Sequence, residues 1–256
     1  MGLVLDRLGN WLGRRLSRPI HVHGTAQPTP PDVLLACLRP GDVLLAEGHS
    51  RISSAIKYLT QSTWSHAALF VGDAVAGRAS ERHCFIEADI VEGVRSVGVG
   101  AFDGLLTRIC RPSGLTDADC ARVVAFAVER IGLQYDLRNV LDLARYLFPT
   151  PPVPQRFRRR MIALGSGDPT RAICSTLIAQ AFQSVQYPIL PVVSSQSAGD
   201  PQCPACMNEI LHVRHHSLFT PRDFDVSPYF EIVKPSLANG FDYRSLYWGE
   251  AQDVAG

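Results

Sequence analysis

Cys174-Ser175-Thr176-Leu177-Ile178-Ala179-Gln180-Ala181-Phe182 sets a cysteine at the head of a run that mixes small, polar and apolar residues at helical spacing. A thiolate on the first turn of a helix faces unpaired backbone N–H groups and the positive end of the helix dipole. Both lower a thiol pKa. A nucleophilic cysteine also needs a base, and the base needs an orienting group. Thr63-Trp64-Ser65-His66-Ala67-Ala68-Leu69-Phe70-Val71 offers the base, a histidine opening an apolar, strand-like run. Phe85-Ile86-Glu87-Ala88-Asp89 offers the third group, a carboxylate inside a strand that could lie beside that of His66. Burying Glu87 is costly unless it is paired. An imidazolium partner would offset that cost and set the His tautomer. Asp89, one alternation along on the same strand face, is the reserve acid. The plainer alternative is a buried structural cysteine and a satisfied core histidine. Cys37, Cys84, Cys110 and Cys120, each among apolar neighbours, fit that description.

Around this trio the chain reads as an ordinary globular protein of 256 residues with formal net charge +1, so no global field calls for nucleic acid. Seven cysteines, an odd number at spacings unlike a disulfide framework, point to a reducing compartment. No stretch approaches the apolar length of a bilayer span, and Met1 to Arg15 lacks the apolar block of a signal peptide. The expected location is therefore the cytoplasm.

Residues 3–16 pattern as an amphipathic helix with Leu5, Leu8, Leu12, Leu16 and Trp11 on one stripe. It either packs on the domain or lies in a membrane interface. A Pro-rich connector follows over 20–31, and a short helix begins near Asp32. Arg39-Pro40-Gly41-Asp42 is a turn before the strand Val43 to Glu47. Ser50 caps a helix over Arg51 to Leu59, and Gly93 to Val97 forms a hairpin with the Glu87 strand. Arg108 to Arg111 is a strand. Thr116 and Asp119 open a helix that runs to Ile131, and Asp136 would cap another over 137–147. Pro188 to Pro204 reads as a long loop, and Tyr229 to Val233 as the last strand. Aromatics of the tail, Phe241, Tyr243, Tyr247 and Trp248, could pack back on the body.

These segments in order resemble a known family. Arg39-Pro40-Gly41-Asp42-Val43-Leu44-Leu45, Ser54-Ala55-Ile56-Lys57, Trp64-Ser65-His66-Ala67-Ala68-Leu69, Glu87-Ala88 and Cys174-Ser175-Thr176-Leu177 are similar to the permuted papain-like cysteine hydrolases. These are YiiX/YebB-like relatives of the NlpC-type peptidases and distant kin of the lecithin–retinol acyltransferase-like enzymes. The resemblance covers roughly residues 38–235. It implies an α+β fold, with an antiparallel sheet or partial barrel packed against the cysteine helix. It also implies the order His, acid, Cys, which here falls on His66, Glu87 and Cys174. Gly132-Leu133-Gln134-Tyr135-Asp136 resembles a Gly-x-x-Tyr-Asp element of such enzymes. Tyr135, with Ser175, Trp64 and Ser65, is then a candidate substrate-binding or oxyanion residue; a core tyrosine is the alternative. His49 and Ser50 either edge the pocket or sit on a surface loop.

The expected organisation is an N-terminal helix and connector over 1–31, a catalytic domain over 32–235 with insertions at 149–161 and 188–216, and a tail over 236–256. The expected activity is that of an amidase or peptidase-like cysteine hydrolase, cleaving an amide or isopeptide bond through a thioester acyl-enzyme without a cofactor. Two alternatives stand beside it: a membrane-associated lipid acyltransferase or hydrolase using the same thiol, and a non-catalytic binding protein on the same fold. The expected partners are a small-molecule, peptide or lipid amide or ester and no nucleic acid. Arg156-Phe157-Arg158-Arg159-Arg160-Met161 reads as a solvated basic face or as a contact with an anionic membrane on its inner face. Cys203-Pro204-Ala205-Cys206 with His212 and His215 has zinc-ligand residue types, but the His spacing does not follow a standard finger, so no metal is expected. His216 is the rival base.

Overall fold

A computed structural model describes residues 28–75, 83–89, 92–134, 173–197, 207–238 and 242–245. Helix α1 (Pro31–Cys37) starts on a proline, which has no N–H to leave unsatisfied at that position. Strand β1 (Val43–Ala46) follows the turn, then α2 (Arg51–Thr60), whose cap Ser50 accepts the Ser53 N–H as its sequence position predicts. Next come β2 (His66–Phe70), β3 (Phe85–Asp89), β4 (Gly93–Val97) and β5 (Thr107–Pro112). Helix α3 (Asp117–Val128) is capped by Thr116, and α4 (Ile173–Gln183) carries Cys174. After α4 come β6 (Val192–Ser197), β7 (Met207–His212), α5 (Pro221–Asp225), β8 (Phe230–Val233) and α6 (Pro235–Ala238).

The class is α+β. Six strands form one antiparallel sheet in the order β4-β3-β2-β1-β5-β8. The sheet is open, with β4 and β8 at its edges. Strands β1 and β2 are apolar almost throughout because both faces of the sheet are covered. On one face Val43, Leu45, Ala67, Leu69, Ile86 and Ala88 meet Leu177, Ile178, Ala181 and Phe182 of α4 and Val123 and Ala127 of α3. On the other, Leu44, Ala46, Ala68, Phe70, Phe85 and Ile109 meet Leu34 and Leu38 from the α1 region and Phe102. Strand alternation assigns each residue to its layer. Arg111 locks the start of β1 to β5: its Nε and a terminal nitrogen hold the two oxygens of buried Asp42 at 2.9 and 2.7 Å.

The expected long loop after Pro188 is instead half of a hairpin. Strands β6 and β7 pair from Val192↔His212 to Ser197↔Met207 as a separate two-stranded sheet. Ser194-Ser195-Gln196-Ser197 reads locally as loop, and the strand exists through a partner some fifteen residues away, which local composition does not encode. The N-terminal helix over 3–16, the segment 149–161 and the expected helix over 137–147 lie outside the described residues, as do Phe241, Tyr247 and Trp248. Tyr243 is well exposed. No helix among the described residues is long and apolar enough to cross a membrane.

Candidate active site

His66 sits at the first residue of β2, on the face that also carries Ala68 and Phe70. Glu87, on β3, shares that face because Phe70 pairs with Phe85, two residues before Glu87. The β2–β3 ladder is confined to Leu69↔Ile86 and Phe70↔Phe85, so the two strands part toward His66 and Glu87. In that opening His66 Nε2 lies 2.6 Å from Glu87 Oε2. Phe102 stacks on the imidazole with ring centroids 6.4 Å apart. Cys174, the second residue of α4, comes from the opposite layer of the core and reaches hydrogen-bonding contact with the His66 ring. Since Glu87 occupies Nε2, the ring nitrogen left for the sulfur is Nδ1.

The electrostatics follow from this placement. Burial alone would raise the Cys174 thiol pKa. The His66 charge and hydrogen bond overcome that, aided by the Ala67 backbone N–H, and hold the thiol below its ordinary value. Ala67 N–H is available because it points into the gap where the ladder to β3 has ended. Burial would likewise lower the His66 pKa, but Cys174 and Glu87 on its two sides hold it well above the ordinary value. Burial raises Glu87, yet hydrogen bonds and charges from His66 and Arg95 bring it down to about 2. Both directions, Cys174 down and His66 up, favour the thiolate–imidazolium form of the pair.

Of the expected residues, His66, Glu87 and Cys174 converge. Ser175 is fully buried, and its hydroxyl has no hydrogen-bond partner among the described residues. Trp64 and Ser65 are both buried in the scaffold. Trp64 Nε1 donates to Asp225 Oδ2 at 2.9 Å beneath the Arg108 guanidinium, and Ser65 Oγ accepts the Gly48 N–H at 2.9 Å. Tyr135 lies outside the described residues. Asp89 accepts the Glu92 N–H and stands 4.0 Å from Arg95, so Glu87 is the acid that holds His66. His216 sits in a short 3-10 helix, with its ring 4.1 Å from that of His215 and 3.4 Å from Gln180 Nε2. Ser50 is spent on the α2 cap, and His49 Nδ1 is buried with no partner among the described residues.

Sequence reading overlooked two neighbours. Phe102 enters from a short 3-10 turn far along the chain, without a local signal. Arg95 did have one: in the expected hairpin, Glu87 and Arg95 are equidistant from the turn and so face each other. Cys203 and Cys206 lie outside the described residues. Among the described residues no group of three or more His, Cys, Asp or Glu could hold a metal ion, and His212 bonds Ser194 at 2.7 Å.

Residues 37–147 match a permuted papain-like amidase family. The full description of that family is permuted papain-like amidase enzyme, YaeF/YiiX, C92 family. The matched stretch holds His66, Glu87 and Arg95 and ends before Cys174. Among solved structures similar to the chain is the crystal structure of metalloprotein yiiX from Escherichia coli O157:H7. It shows 15% identity and a TM-score of 0.44 over 77% of this chain and 96% of that one. No curated protein matches the sequence.

Proposed function

We propose that the protein is a cysteine hydrolase that cleaves an amide bond, with Cys174 as nucleophile, His66 as proton carrier and Glu87 as the group that orients His66. The observation that carries this reading is the unbroken chain of contacts from the Cys174 sulfur through His66 to Glu87. The match of residues 37–147 to an amidase family supports the same reaction class.

In the resting pair the proton sits on His66 and the sulfur is anionic. The thiolate attacks the amide carbonyl, forming a C–S bond and an oxyanion. The Cys174 backbone N–H, in the first turn of α4, is the donor for that oxyanion. Collapse breaks the C–N bond, and the departing amine takes the proton from His66. A water molecule then gives a proton to His66 and attacks the thioester. The carboxylic acid leaves and the thiolate–imidazolium pair returns. Glu87 keeps its charge throughout and holds the tautomer that presents Nδ1 to the sulfur.

The test is the pH dependence of Cys174 alkylation by iodoacetamide, followed by intact mass, in wild type and His66→Ala. The expected result is rapid single-site labelling well below pH 8 that slows in the variant. Labelling at the rate of an ordinary thiol, unchanged by the substitution, would overturn the proposal and leave a binding protein on this fold.

A further inference from the structure

Arg95 stands directly across the β3–β4 ladder from Glu87. Its Nε donates to Glu87 Oε1 at 2.9 Å and one terminal nitrogen approaches the same oxygen at 2.7 Å. The other terminal nitrogen holds Glu92 at 2.6 Å, and Asp89 lies at 4.0 Å. One oxygen of Glu87 is thus committed to Arg95 and the other, Oε2, to His66. Glu87 is buried, whereas Arg95 is about a third exposed, so the contacts run from solvent inward to the sulfur. The turn that supplies Glu92 is itself held. Gln134 Nε2 donates to the Glu92 carbonyl, Val94 N–H donates to the Leu133 carbonyl, and Gly132 N–H donates to the Val94 carbonyl.

We infer that Arg95 is a positioning residue of the Cys174–His66–Glu87 site, fixing the rotation of the Glu87 carboxylate and keeping it ionised; this rests on the function proposed above. The reasoning is one of charge and geometry. A carboxylate held at only one oxygen can turn about its terminal torsion, and His66 would lose its alignment. The guanidinium fork prevents this by gripping the far oxygen. Three acids also crowd one spot: Glu87, Asp89 and Glu92. The charged groups facing Glu87 are His66 from β2, with Cys174 behind it, and Arg95 from β4, with Asp89 on its own strand. Without Arg95, burial and the two neighbouring acids favour protonation of Glu87, and the imidazolium loses its anionic partner as the pH falls.

The experiment compares the pH profile of Cys174 alkylation in wild type, Arg95→Met and Arg95→Lys, with thermal unfolding of each. Removing an opposite charge at this distance raises a carboxyl pKa by about one unit or more. The acid limb of the Arg95→Met profile is therefore expected to move to higher pH. Arg95→Lys keeps the charge but loses the fork, so its limb should stay near wild type while the plateau rate falls several-fold. A lower melting temperature with an unchanged profile and plateau in both variants would make Arg95 merely structural and overturn the inference. If Arg95→Met does not fold, the plateau of Arg95→Lys decides alone. Wild type behaving as an ordinary thiol overturns the functional reading as well, whereas an activated wild type with unaffected variants removes only the role of Arg95.

Discussion

His66 Nε2 and Glu87 Oε2 lie 2.6 Å apart, although their strands are no longer hydrogen-bonded to each other at that level. The side chains thus bridge a gap in the sheet, and the bridge determines which imidazole nitrogen faces Cys174. Glu87→Gln keeps the shape and removes the charge. His66 should then titrate closer to an ordinary histidine, and turnover of an amide substrate should fall at least about tenfold, the equivalent of one pKa unit. The His66 ring C–H resonance, followed by NMR against pH, measures this directly. An unchanged titration would mean that Glu87 does not tune His66.

The same substitution has a consequence for stability. Glu87 has a folded-state pKa near 2, below the 4.5 of an ordinary glutamate. A depressed carboxyl pKa stabilises the fold above the unfolded-state value, and that contribution disappears as the pH falls through the folded-state value. The part of the stability gap between wild type and Glu87→Gln that belongs to the Glu87 charge should therefore shrink between about pH 4.5 and 2, with a size on the order of 3 kcal/mol. Urea denaturation across that range reads the gap, and a gap that stayed constant to the acid end would refute the assignment.

Trp64 tests whether a residue flanking His66 belongs to the chemistry or to the scaffold. Its indole N–H is bonded to Asp225, which also takes Arg108 at 2.5 Å. Trp64→Phe removes the donor and keeps an aromatic ring. The expected cost is about 1–3 kcal/mol of stability, with the alkylation profile of Cys174 unmoved. A shifted profile at unchanged stability would instead make Trp64 part of the reacting surface.

Gly93 opens β4 with φ of +74°, and a Cβ there would clash with the Leu133 carbonyl oxygen. Both the backbone angle and the clash oppose any side chain. Gly93→Ala should lower stability by about 1–3 kcal/mol and speed hydrogen exchange at Val94, whose N–H bonds Leu133. Unaltered exchange at Val94 would show that the contact with Gly132 to Gln134 survives.

Local chemistry was enough to place most elements. The Ser50 and Thr116 caps, the apolar runs of β1 and β2, and the paired strands around Glu87 all follow from propensity, periodicity and capping, which act within a few residues. The same reasoning singled out His66, Glu87 and Cys174, because a polar group in an apolar strand or at a helix start needs an explanation. What the chain alone could not decide depended on partners distant in sequence. Strand β6 looked like loop until β7 paired with it. Phe102 reached His66 only through the folding of the sheet. The partners of Trp64 and Ser65, Asp225 and Gly48, are likewise distant in sequence. Cys174 lies more than a hundred residues from His66, and their approach arises from α4 packing where β2 and β3 diverge. Short-range interactions are written in consecutive side chains, whereas which distant groups share a buried space is settled only when the layers close-pack.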